Sequence, residues 1–131
     1  MGRRDRERLE RIRAGLENPI ARAAVKLKTR GAVIEELSRG TVSDQTNRLN
    51  TLVGEGALKP SRLKDAIMRK APKEMDKAIK KFRKQGKEIT VDSLTAEART
   101  EPGFLCMCEN VGLDLAWFEN LAKDRMEANK V

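Results

Sequence analysis

The chain has no histidine and no tyrosine, only two cysteines, and aromatic residues at just 3% of its 131 positions. Each shortage closes off a class of chemistry. Without histidine there is no imidazole for acid–base catalysis or metal binding. Two cysteines cannot build a disulfide scaffold. Cys106 and Cys108 form a Cys-x-Cys pair whose members point about 200° apart on a helix. With no third cysteine, a four-ligand zinc site cannot be completed inside the chain, so core packing is the expected role of both. The longest unbroken apolar runs are about five residues, whereas a membrane-spanning helix takes ~20. The opening MGRRDRERLERIR puts charge where a signal peptide needs an apolar stretch. A soluble protein of a reducing, cytoplasmic compartment is expected. Phosphate-cradling glycine loops and ligand clusters are missing from the sequence. The acid pair Glu35-Glu36 faces two directions on a helix. The expectation is a non-enzymatic protein with no catalytic residue, no metal and no cofactor.

What the chain has in abundance is charge, at 37% of residues against ~25% for an ordinary domain. The net charge of +8 is unevenly placed. Residues 1–61 carry 13 basic and 8 acidic side chains, residues 62–87 carry 11 and 3, and residues 88–131 carry 4 and 9. The middle segment alone equals the whole net charge, and the last third is acidic. Such asymmetry points to a polyanionic partner for one surface.

The apolar spacing is helical almost throughout and predicts an all-α, compact bundle of six to eight short helices. Four segments follow: a basic arm over 1–17, a helical unit over 18–59, a basic helical segment over 60–87 and an acidic helical unit over 88–131. In the arm, Leu9, Ile12 and Leu16 form a thin stripe, Glu7 and Arg11 are spaced to pair, and fraying is expected. Asn18-Pro19 is a helix start, with Ile20, Ala24 and Leu27 on one face. Gly31 interrupts. A helix over Ala32 to Arg39 stops at Gly40. Ser43 is the expected cap of the next helix, which runs to about Gly54. Pro60 and Pro72 each begin a helix, the second ending at Gly86. Thr90 caps a helix through Arg99, and two more are split at Gly112. Only Glu88 to Val91 suggests a strand.

Within VIEELSRGTVSDQTNRLNTLVGEGAL a short helix, a turn near Gly40-Thr41 and a second helix follow one another. The second helix carries Thr46, Leu49, Leu52 and Val53 on one face, and Gly56 and Leu58 follow it. This stretch resembles the second and third helices of winged-helix and related helix-turn-helix DNA-binding proteins. The resemblance covers about 40 residues, and no pair of strands follows Leu58 to form a wing. It implies a DNA-reading second helix. On that helix Asn47, Arg48 and Thr51 lie away from the Leu49 face. Arginine can read guanine and asparagine adenine in a major groove, so these three are candidate base contacts.

The segment PKEMDKAIKKFRKQGK is amphipathic. Met75, Ala78, Ile79 and Phe82 share one arc, and Lys73, Lys77, Lys80 and Lys84 recur on the other side. Lysine is a mobile point charge suited to phosphate, so these four are candidate phosphate contacts. The apolar arc lacks the tryptophan and leucine of a membrane-surface helix, and no membrane partner is expected. Residues 90–127 also look like the helix-turn-helix of small phage and regulatory proteins. Gly112 takes the turn, Cys108 the small inward position, and Met107, Val111, Leu113, Phe118 and Leu121 the apolar places. The last helix, capped by Asp114, presents Glu119 and Asp124, which phosphate would repel. Trp117, Glu119 and Asp124 are therefore candidate protein contacts. The leading expectation is binding to double-stranded DNA, in transcription regulation of a phage or plasmid setting. The alternative is a protein-interaction adaptor whose basic helix grips an acidic partner and whose acidic unit grips another protein. RNA comes third, because aromatic platforms for bases are few. Oligomeric state is open.

Overall fold

The computed structural model describes residues 2–14, 16, 18–25 and 31–131. Among them the chain forms eight helices and no strand, the all-α bundle expected from periodicity. α1 (Arg3–Ala14) lies along α3 (Gly31–Leu37), where Arg8 pairs with Glu35. Glu7 pairs with Arg3 at 3.2 Å rather than with the expected Arg11. The arm is thus a helix over Arg3–Ala14; the side chains of Leu9 and Ile12, and Leu27 altogether, lie outside the described residues. α2 (Pro19–Ala24) and α4 (Val42–Gly54) are joined by Asn18, a buried N-cap.

Three local expectations are corrected. The cap of α4 is Thr41, not Ser43. Its hydroxyl accepts from the Asp44 amide at 3.1 Å, and Asp44 returns a bond to the Thr41 amide at 2.8 Å. The reciprocal pair satisfies two otherwise orphaned donors, which Ser43 inside the first turn cannot do. Residues 88–91 form no strand, because Thr90 closes its own capping box with Ser93 at the head of α6 (Val91–Arg99).

The third correction is the largest. Pro72 starts no new helix: α5 runs unbroken over Pro60–Gln85. Proline removes one backbone donor and crowds the carbonyl four residues back. That carbonyl belongs to Met68, an exposed residue, where water can take the bond. The apolar seam through the proline is continuous, with Leu63, Ala66, Ile67, Ala71, Met75, Ile79 and Phe82 all buried. Tertiary packing on both sides outweighs the local break. The helix ends at Gly86 with φ +66°, and the Lys87 amide donates to the Phe82 carbonyl at 2.9 Å, a left-handed stop that glycine adopts without strain.

α5 is the spine of the molecule. Its first half packs with α2, α3, α4 and α7 (Phe104–Asn110) in one apolar cluster that includes Leu37, Leu49 and Met107. Its second half packs with α6 and α8 (Leu115–Ala128) around Phe82, Leu94 and Phe118. Phe104, Trp117 and Leu121 touch both clusters, and Phe104 meets Phe118 edge to face at 6.2 Å. Of the two cysteines only Cys108 serves the core. Cys106 is exposed, as the ~200° between them requires once one faces inward.

Candidate nucleic-acid interface

The outer side of α5 exposes Lys73, Lys77, Lys80 and Lys84. In an ideal helix these four fall within an arc of about 60°, and Lys73 to Lys84 spans about 16 Å. Lys73, Lys80 and Lys84 form no salt bridge with any described residue, whereas Lys77 pairs with Glu74 at 3.3 Å. Lys81, beside the stripe, pairs with Glu97 of α6 at 2.7 Å. Because the helix is continuous through Pro72, the stripe extends backward in the same register. Arg69 is exposed and Arg62 half-buried, and neither has a salt bridge among the described residues. Arg62 was not among the sequence candidates; its signal is the seven-residue step 62, 69, whose continuation in register to Lys73, Lys80 and Lys84 a helix break at Pro72 would hide.

On α4 the three candidate base contacts diverge. Asn47 and Thr51 are exposed. Arg48 turns back toward α3, donating to the Glu36 carbonyl at 2.8 Å and to the Arg39 carbonyl. There it caps the carbonyl end of α3, adding a second bond to the Glu36 carbonyl, which also accepts from the Arg39 amide at 3.3 Å. Asn47 lies against the turn before α7: a Cβ added at Gly103 would come within 2.9 Å of its Oδ1. Asn110 of α7 donates to Asn50 at 3.4 Å. The open strip of α4 is therefore Asp44, Asn47, Thr51 and Gly54. It carries one charge, an acid, and the Thr41 amide holds the Asp44 carboxyl below its usual range.

Comparison with protein-family models, characterised proteins and solved structures finds no match. What the surface can do is set by its own geometry.

The acidic third of the chain is stitched to the basic helix rather than held apart from it. Arg125 grips Asp76 of α5 through two bonds of 2.7 Å, and Asn129 adds a third at 2.9 Å. Arg83 donates to the Asn129 carbonyl. The bonds from Arg125 push the Asp76 carboxyl below its ordinary value against a smaller opposing effect of burial, and Asp76 in turn raises Arg125. Residue spacing gave no signal for this cluster, since Asp76 and Arg125 are 49 positions apart. Trp117 is half-buried between the two apolar clusters, Glu119 is half-buried and Asp124 exposed. Leu115, at the start of the same helix, is 44% exposed. No helix among the described residues is long and apolar enough to cross a membrane.

Proposed function

We propose that the protein binds double-stranded DNA without catalysing a reaction on it, and that it does so chiefly through the phosphate backbone. One observation carries the reading: Lys73, Lys80 and Lys84 stand exposed, without a salt bridge to any described residue, on one side of a single continuous helix. Like charges in such a row destabilise an isolated helix by a few tenths of a kcal/mol each, and an array of phosphates relieves that repulsion. Arg69 lengthens the row, and Lys77 joins it if Glu74 releases it. Arg48 donates to two backbone carbonyls and would have to leave them to read a base. Asn47 and Thr51 keep that role in the proposal, on a strip without positive charge. Binding governed by backbone contacts, with little sequence preference, follows. A cytoplasmic role in transcription regulation of a phage or plasmid is the setting we attach to it.

The test is duplex binding across a salt series. Log affinity should fall linearly with log salt, with a slope near −0.9 per phosphate contact. Replacing Lys73, Lys80 and Lys84 together by Ala should make the slope shallower by roughly 2 to 3. A protein that ignores duplex DNA at low salt would abandon this reading. The adaptor reading would then lead, supported by Leu115 exposed beside Trp117 on the acidic helix.

A further inference from the structure

Between the two apolar clusters, where α2 and α4 meet α5 and α6, lies a cleft of about 330 Å³. Its size falls within the roughly 300–1,000 Å³ typical of small-molecule sites. Small residues keep it open: Ala71 and Ala78 on α5 and Ala98 on α6 face a space that larger side chains would fill. Met75, Leu94 and Phe118 supply apolar walls, all three buried in the second cluster. Such a space is an apolar solvent for a molecule of matching shape.

The polar groups of the cleft are not balanced. Three carboxylates border it, Glu74, Glu97 and Glu101, against two lysines, Lys77 and Lys81. Both lysines are engaged, Lys77 with Glu74 at 3.3 Å and Lys81 with Glu97 at 2.7 Å. Glu101 is left over. It is half-buried, and among the described residues its side chain has one partner, the buried Thr46 hydroxyl at 3.4 Å. A half-buried carboxylate beside apolar walls is best satisfied by a cation that brings its own donors. An anionic ligand would meet repulsion at the same point.

We propose that this cleft binds a small amphipathic cation, with an aliphatic or aromatic body against Met75, Leu94 and Phe118 and an ammonium or amidinium group at Glu101. The proposal does not rest on the DNA reading: the cleft shares only Lys77 and its partner Glu74 with the outer stripe, and Glu101 and the apolar walls are not part of that stripe. Three probes of one shape test it on the full chain: naphthylmethylamine, naphthylmethanol and naphthoate, followed by amide chemical shifts at Thr46, Ala98 and Phe104. The amine should bind saturably and at least about tenfold more tightly than the carboxylate, the gain of one charge-assisted contact. Glu101→Gln should erase the amine's advantage over the alcohol. Ala78→Phe should fill the cleft and abolish binding of all three. Should that variant fail to fold, Glu101→Gln at the rim still decides. No saturable shift with the amine, or a carboxylate that binds as well as the amine, would overturn the proposal.

Discussion

Asn18 shows how one side chain can hold two helices. It is 3% exposed and uses its whole amide. Oδ1 accepts from the Ile20 and Ala21 amides at 3.0 and 3.1 Å, while Nδ2 donates to the Val42 carbonyl and the Thr46 hydroxyl, both at 3.0 Å. Aspartate caps helices as well as asparagine does, but it has no donor for Val42 and Thr46. Asn18→Asp should therefore destabilise the fold by about 1–3 kcal/mol, and Asn18→Ala by at least as much, in urea unfolding. A stable Asp variant would show that capping alone matters here. The thiols allow a second test. Burial pushes Cys108 up to about 12, whereas Cys106 is exposed. The thiolate is the reactive form. A thiol-specific reagent near pH 8 should thus modify one cysteine quickly and the second only after denaturant is added. Two fast equivalents in the native protein would contradict the burial of Cys108.

At the scale of the element, α5 carries both the architecture and the candidate interface. Pro72 leaves the Met68 carbonyl without its helical partner, and an interior proline costs a helix about 3 kcal/mol. Proline also restricts the unfolded chain, which returns up to about 1 kcal/mol. Pro72→Ala should then stabilise the protein by roughly 1–2 kcal/mol, read as a higher denaturant midpoint with an unchanged slope. A loss of stability would mean that the proline ring makes packing contacts worth more than the missing hydrogen bond. Arg48 belongs to the end of α3 in the same sense. Arg48→Ala should cost about 1 kcal/mol of stability and weaken binding to any two duplexes alike. A loss confined to one preferred sequence would return Arg48 to base reading.

For the molecule as a whole, the cross-link between α5 and α8 sets a dependence on acidity. Arg125 and Asn129 lower the Asp76 carboxyl below its usual range. As pH falls, the unfolded chain takes up that proton first, so the stabilisation is present above the ordinary carboxylate value. It disappears as pH drops through the lower folded value. The wild-type protein should lose stability between about pH 5 and pH 2 more steeply than Asp76→Asn. Equal slopes would mean that the pair contributes nothing to the folded state. The same cross-link keeps the acidic third against the basic helix, so net charges of the two segments do not describe two separate surfaces.

Much of this bundle was legible from local chemistry. Helix class, the Asn18 and Asp114 caps and the Gly86 stop each follow from residues within a turn of one another, where spacing and capping rules act. The inward face of α5 was legible for the same reason: Met75, Ile79 and Phe82 repeat at helical spacing and are buried. Other features depended on residues far apart in the chain. Continuity through Pro72 comes from apolar partners on α2, α6 and α8. The turning of Arg48 onto α3 and the grip of Arg125 on Asp76 are long-range hydrogen bonds. The cleft is lined by residues that several helices bring to one space, three alanines of α5 and α6 among them. Sequence by itself determined that the chain is helical, most of its caps and stops, and which stripe of α5 is cationic, because those properties belong to single elements. Tertiary structure decided which charges stay unpaired on that stripe and where a cavity opens, because both depend on neighbours that the fold brings together.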